Sequence, residues 1–177
     1  MASLWWNHTM DISDLLLELF GRIPPLARRA VEGVDSDRLC EPPAPGANTI
    51  AWLVWHLARV QDHHVSELIG TDQLWAGGAW SRACGLDPDP TNTGYGHSPE
   101  EVLSVRPGRP EVLLDYLDAV DRRTGAMLED LAPADLDRVV DRRWDPPVTM
   151  GVRLVSIADD SLQHAGQAAY VRGLLGS

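Results

Sequence analysis

The chain has 177 residues, 44% of them hydrophobic, which suits one domain with a sizeable core and argues against extensive disorder. Its formal net charge is −11 and its basic side chains are all arginine, so the acidic surface disfavours binding to nucleic-acid phosphates. No apolar run approaches the length that crosses a membrane, and two cysteines, Cys40 and Cys84, are too few for a disulfide framework. These features predict a cytoplasmic protein with reduced thiols and no membrane partner.

The first residues lack the charged and apolar regions of a signal peptide. We interpret residues 1–9 as an extension before a natural start at Met10, or as residues added artificially. A single domain is therefore predicted over residues 10–177. His8 falls in the extension and is a poor candidate for any role.

Helical periodicity first appears from about residue 11 to residue 31, where apolar side chains recur every three or four positions. Pro24 and Pro25 should kink this helix or split it in two. A second long helix is predicted over about residues 49–69, with Asn48 as its N-cap and Gly70 at its C-terminal end.

A connection of about forty residues, 70–109, follows and is rich in Gly, Pro, Asp and Asn. Ser98, Pro99 and Glu101 form the pattern of a capping box and predict one short helix within it. So long a connection inside a domain is usually functional or carries small elements of its own. We therefore regard it as a candidate wall or lid over a pocket.

Two further long helices are predicted, over about residues 110–131 and 151–175, with Thr149 as N-cap of the last. Residues 139–147 are expected to be loop or extended chain, and no alternating strand pattern stands out. Four long helices in one domain predict an all-α fold, a four-helix bundle with a long connection between the second and third helices.

The candidate metal ligands begin with Asp160 and His164, which lie four residues apart on the predicted last helix. This spacing directs both side chains from one helix face, and a carboxylate and an imidazole are ready ligands for a divalent cation. His56 lies on the apolar face of the second long helix and is a third candidate. A rival set uses His63 and Glu67, another pair four residues apart, and depth along the bundle does not exclude it.

Simpler interpretations of the same residues remain open at this point. His56 could be a core histidine bonded to a carbonyl, and Asp160 with His164 could form an ordinary helix salt bridge. Ser161, His164 and Asp160 could be drawn as a catalytic triad, but no strand-to-helix nucleophile turn accompanies them. His63 lies about 10.5 Å along the helix from His56, too far to hold the same ion.

A resemblance to a known family narrows these alternatives. The segment Leu53-Val-Trp-His-Leu-Ala-Arg, the pair Asp160-x-x-x-His164, and the closing run Ala-Gly-Gln-Ala-Ala-Tyr-Val-Arg-Gly-Leu-Leu resemble the DinB-like superfamily. Within it, the chain is most similar to the actinobacterial branch of mycothiol transferases and mycothiol-dependent maleylpyruvate isomerase. The resemblance implies a four-helix bundle holding a divalent metal, zinc or nickel, on His56, Asp160 and His164. Many relatives carry His or Glu at the position of Asp160.

The resemblance further implies a metal-dependent thiol S-transferase or isomerase that uses mycothiol as co-substrate and an electrophilic small molecule as substrate. Homodimerisation is implied in the same way. Arg59, one turn from His56, could meet an acidic substrate or the thiol, or form a surface salt bridge. The remaining substrate-binding candidates are aromatic residues of the connection and two second-shell amides: Trp75, Trp80, Tyr95, Gln163 and Gln167.

Two alternative functions remain. One is a metal- or ligand-binding bundle without catalysis, such as a stress-response protein. The weaker alternative is a hydrolase that uses a metal-activated water.

Overall fold

The structure is a computed structural model that describes residues 9–176, so most of the N-terminal extension, His8 included, lies outside the described residues. The first long helix is split as the two prolines predicted, into α1 (Ile12–Phe20) and α2 (Ile23–Val31). The other long helices are α4 (Ile50–Ile69), α7 (Glu111–Glu129) and α8 (Met150–Leu175). The all-α prediction is confirmed.

The long helices form a four-membered bundle in which α1 and α2 together count as one member. The helix α4 packs against α7 and α8, and the α1–α2 pair packs against the same two helices from the opposite corner. Apolar side chains from all four members fill the space between them, with Trp55, Phe20 and Leu117 among the largest fully buried ones. Every residue of α4 from Ile50 to Arg59 is buried, which makes α4 the central helix.

The helix ends follow local capping chemistry. Thr49, not Asn48, is the N-cap of α4, because its hydroxyl accepts the backbone N–H of Trp52 at 3.0 Å. Gly70 ends α4 in the left-handed conformation, and Thr149 caps α8, both as predicted.

The long connection between α4 and α7 carries three small elements. A single 3-10 turn (Trp75–Gly77) is followed by α5 (Ala79–Ala83) and by α6 (Pro99–Ser104), whose capping box is present as predicted. A further short helix, α3 (Ser36–Leu39), precedes α4. Between α5 and α6, residues 84–98 run back along α4 without regular structure.

A small hairpin that the sequence did not reveal lies between α7 and α8. Strands β1 (Val139–Asp141) and β2 (Val148–Thr149) pair antiparallel after a second 3-10 turn (Pro133–Asp137). Strands of three and two residues are too short to show an alternating apolar and polar pattern in the sequence. No helix in the described part of the chain is both long enough and apolar enough to cross a membrane.

Both cysteines are free thiols, as the composition predicted, and both are buried. Burial raises the pKa of Cys84 to about 12. The pKa of Cys40 is also raised by burial, and its thiol donates to the Val105 carbonyl at 3.6 Å. Neither thiol is available as a nucleophile, because the thiolate is the reactive form.

We expect the folded protein to resist thiol labelling. An aromatic disulfide reagent at pH 8 should modify neither Cys40 nor Cys84 in the native chain, and both after denaturation in urea. Absorbance of the released thiolate measures this directly. Prompt release of one equivalent from the native protein would show that a thiol is accessible and ionised.

Candidate metal centre

The helices α4 and α8 bring His56, Asp160 and His164 together. Asp160 Oδ1 lies 3.8 Å from His56 Nε2 and 3.5 Å from His164 Nε2. The two imidazole rings meet edge to face with centroids 4.7 Å apart. One ligand atom from each of the three residues lies within 4.8 Å of the others. Tetrahedral ligands with bonds of about 2 Å are about 3.3 Å apart, so small side-chain movements complete such a set.

The outer nitrogens of both imidazoles are held by oxygen acceptors. His56 Nδ1 is 2.5 Å from the Thr93 carbonyl, and His164 Nδ1 is 2.9 Å from Gln167 Oε1. Since an oxygen acceptor requires an N–H, both rings carry their proton on Nδ1 and turn the Nε2 lone pair toward Asp160. This is the orientation that metal-binding histidines adopt when a neighbouring group fixes their tautomer.

The carboxylate between the two rings is incompletely satisfied. Asp160 Oδ2 is buried and has no hydrogen-bond partner among the described residues. A buried carboxylate oxygen without a partner is costly unless a cation or donor meets it. The donor set of two imidazole nitrogens and one carboxylate fits a zinc- or nickel-type cation and leaves one position open.

The pKa values of His56 and His164 are shifted in opposite directions. Burial lowers the pKa of His56, which keeps that ring in the neutral form that binds metals. Burial also acts to lower the pKa of His164, but the interactions with Asp160 and Gln167 outweigh it, so the pKa of this ring is raised. Cation binding should therefore strengthen as pH rises and His164 loses its extra proton.

The segment 90–97 of the connection and Trp52 of α4 together brace His56. Trp52 stacks on the His56 ring, with centroids 4.6 Å apart and planes within 9°. Trp52 Nε1 donates to His97 Nδ1 at 3.1 Å, so the other nitrogen of His97 carries the proton and donates to Asn92 Oδ1 at 2.9 Å. These contacts, together with the Thr93 carbonyl, hold His56 in one rotamer and one tautomer. His97 and Asn92 were not among the predicted site residues.

Arg59 has neither of its predicted roles. The side chain is fully buried, so it can form no surface salt bridge and cannot reach a substrate in the cleft. Its Nε donates to the Asn92 carbonyl at 3.0 Å, and its terminal nitrogens donate to the Pro90 carbonyl and to Gln73. Arg59 therefore anchors the segment that braces His56.

The other predicted substrate-binding residues divide into two groups. Trp75 is fully buried beneath Arg59, and Trp80 packs against Tyr116, so both belong to the core rather than to a pocket. Gln163 donates to Asp159 on the exposed side of α8, away from the metal ligands.

Two of the predicted residues do lie at the site. Gln167 Oε1 accepts the hydrogen bond from His164 Nδ1 and orients that ring, and Tyr95 is almost fully exposed at the cleft. The hydroxyl of Ser161 is buried and has no hydrogen-bond partner within residues 9–176, so the alternative triad is not assembled.

A cleft of about 330 Å³ opens beside the three candidate ligands. One wall comes from α4 and α8, and the other comes from the long connection, as predicted. The lining residues are His56, Val60, His63, His64, Thr91, Thr93, Tyr95, Ser156 and Asp160.

The rival ligand set exists as a cluster of three residues, because His64 joins His63 and Glu67. His64 was not among the predicted ligands, although its spacing of three residues from Glu67 was a usable signal. Glu67 Oε2 lies 3.2 Å from His64 Nδ1 and 3.8 Å from His63 Nε2.

Hydrogen-bond direction argues against a cation in this second cluster. Gln73 Oε1 accepts from Arg59, so the Gln73 amide nitrogen donates to His63 Nδ1 at 3.0 Å. The remaining nitrogen of His63 therefore carries a proton and turns an N–H, not a lone pair, toward Glu67. The first cluster is the better metal site.

Comparison with known proteins agrees with this fold. A sequence profile of the DinB superfamily matches residues 19–168. The crystal structure of a conserved protein from Enterococcus faecalis superposes with a TM-score of 0.86 at 35% sequence identity, covering 94% of this chain and 98% of that chain. A search of curated proteins found no significant match. The match over most of the chain shows that this protein belongs to the DinB superfamily.

Proposed function

We propose that this protein is a metal-dependent thiol S-transferase, with mycothiol as the thiol and an electrophilic small molecule as its second substrate. The observation that carries the proposal is the donor set itself: two Nε2 lone pairs face Asp160 Oδ1 beside an open cleft, and the second oxygen of the same carboxylate is buried without a hydrogen-bond partner among the described residues. The choice of mycothiol rests on the sequence resemblance to the actinobacterial branch.

Different residues would bind the cation and contact the electrophile, as thiol transfer requires. His56, Asp160 and His164 would hold the cation, and a cation of the zinc or nickel type would favour the thiolate form of a bound thiol. Trp52 shields the rear of His56 from water. The hydroxyls of Thr91 and Ser156 line the cleft in which the electrophile would sit.

The nucleophile must come from a co-substrate, because both protein thiols are buried and protonated. In a transfer, the thiolate sulfur bonds to the electrophilic carbon and the leaving group departs with its electron pair. In an isomerisation, the same addition is followed by elimination of the thiol. Both reactions need the same first step, so the site supports either outcome.

The test combines metal analysis with a conjugation assay. We expect the purified protein to hold about one equivalent of zinc or nickel and to accelerate the conjugation of mycothiol to monochlorobimane. Asp160→Ala and His164→Ala should each weaken cation binding more than about 100-fold and abolish the acceleration. Asp159→Ala is the matched control, since this neighbouring carboxylate is exposed and should leave both properties unchanged.

Other outcomes separate the rival functions. Cation binding without conjugation, over a panel of mycothiol, cysteine and glutathione, would identify a non-catalytic binding protein. Turnover of an ester or amide without any thiol would identify a hydrolase. Wild-type protein that binds no cation would overturn the metal-dependent proposals together.

A further inference from the structure

The second histidine cluster lies in the same cleft as the candidate metal ligands, at the other end. His63 and His64 line the cleft on α4, two turns beyond His56, at about 10.5 and 12 Å from it along the helix axis. Both rings are partly buried, with 27% and 22% of the side chain exposed. A molecule lying in the cleft would therefore reach both ends at once.

A chain of hydrogen bonds from the core determines which ring nitrogen of His63 carries the proton. Arg59 can only donate, so Gln73 Oε1 accepts from it at 2.9 Å and the Gln73 amide nitrogen faces His63 Nδ1. Because His63 Nδ1 accepts this hydrogen bond, the ring carries its proton on Nε2. Glu67 Oε2 is 3.8 Å from this nitrogen, beyond hydrogen-bond range.

The ring of His64 is oriented by a second arginine. Arg153 donates to His64 Nε2 at 3.3 Å and to Asp141 Oδ2 at 3.1 Å. His64 therefore carries its proton on Nδ1 and donates it to Glu67 Oε2 at 3.2 Å. Burial and the Arg153 charge lower the pKa of His64 to about 4, so the ring is a neutral donor near pH 7.

Glu67 accepts the hydrogen bond from His64, lies near the N–H of His63 without bonding to it, and is loosely held. Its side chain is 54% exposed and its carboxylate lies at the edge of the cluster rather than among the cleft-lining groups. Asp160 is the one carboxylate among the described lining residues, and it belongs to the metal end. The far end of the cleft therefore presents the ring N–H groups of His63 and His64, with Glu67 beside them but no carboxylate of its own among the described lining residues.

We propose that the N–H groups of His63 and His64 bind the carboxylate of a small anionic substrate, which displaces Glu67 from the cluster. The proposal deepens the proposed function, since it assigns the electrophile to the carboxylate-bearing class and orients it with its uncharged end toward the candidate metal ligands. The acidic group that Arg59 was expected to meet is thus met by His63, which Arg59 orients through Gln73. Hydrogen bonds to a carboxylate are stronger than neutral ones, which favours an anion over its amide analogue.

The test is a binding titration followed by NMR of the histidine ring protons in the full-length protein. Benzoate and benzamide serve as probes, because they have the same shape and differ in charge. Benzoate is expected to shift the resonances of His63 and His64, with and without bound zinc, and to bind about tenfold more tightly than benzamide. Binding to the zinc-free protein does not depend on thiol transfer, so this proposal and the proposed function can fail separately.

Two variants act in opposite directions. His63→Phe should abolish the preference for benzoate. Glu67→Gln, at an exposed position that should not disturb folding, should tighten benzoate binding several-fold because the competing carboxylate is gone. Glu100→Gln removes the same charge from an exposed helix elsewhere and should change nothing. Benzoate shifts confined to His56 and His164, or unchanged affinity in Glu67→Gln, would overturn the proposal.

Discussion

Replacing Arg59 with methionine is expected to lower the free energy of unfolding by about 3–5 kcal/mol, the cost of removing one partner of a buried ion pair. Arg59 and Asp62 are both fully buried, with 3.4 Å between their charged groups. Asp62 would keep hydrogen bonds from the backbone N–H groups of Leu74 and Trp75 and from Tyr116. It would also keep the nearby charge of Arg123, 3.7 Å away, so the loss should lie toward the lower end of this range.

The same substitution should also weaken cation binding. Arg59 donates to the carbonyls of Pro90 and Asn92, and the next residue along the chain presents its carbonyl to His56 Nδ1. Without the hydrogen bonds from Arg59, segment 90–97 is no longer held in place. His56 then loses the Thr93 carbonyl, the acceptor that sets its tautomer. Changes to outer-shell partners of this kind cost roughly 10- to 100-fold in metal affinity.

Urea unfolding of the metal-free protein and chelator competition measure these two effects separately. Arg59→Lys keeps the charge but cannot bond Asn92, Pro90 and Gln73 at the same time, so an intermediate loss is expected. Arg22→Met is the control, because Arg22 forms an exposed pair with Glu18 and its removal should cost under about 0.5 kcal/mol. A loss below about 1 kcal/mol in Arg59→Met would mean that the buried network is not an anchor.

The parts of the fold that sequence predicts best are those encoded by local spacing. Each long helix has an apolar stripe of helical period, and Pro24 and Pro25 mark the break between α1 and α2. Asp160 and His164 share a helix face for the same geometric reason, so their proximity needed no tertiary information. Joining His56 to them needed the family resemblance, since nothing local relates α4 to α8.

The parts that sequence does not predict depend on contacts between distant residues. The segment 90–97 has no regular structure, and its path is set by Arg59 from α4 and by the Trp52–His97 hydrogen bond. An arginine one turn from a candidate ligand looks solvent-exposed in sequence, because long charged side chains are rarely buried without partners. Two of its hydrogen-bond partners are backbone carbonyls, which carry no sequence signal, and the other three are the side chains of Asp62, Gln73 and Tyr116.

Gly94 packs directly against His56 and Trp55, and Gly94→Ala is expected to damage the site selectively. A Cβ built at Gly94 would lie 2.8 Å from His56 Nδ1 and 2.8 Å from Trp55 Cζ3. It would therefore intrude on the bond between His56 and the Thr93 carbonyl. The backbone φ of +93° adds strain for any L-residue with a side chain.

Gly96→Ala separates the steric effect from the backbone effect. Gly96 also has a positive φ, +77°, but a Cβ there meets nothing within 4 Å. Both substitutions should cost about 1–2 kcal/mol in stability through φ, and Gly94→Ala should cost further because overpacking adds about 1–3 kcal/mol. Zinc affinity should fall about 100-fold in Gly94→Ala alone, as expected when a ligand loses its orienting partner. Equal zinc affinity in the two variants would show that the 90–97 segment does not position His56, and the orienting role assigned to the Thr93 carbonyl would be withdrawn.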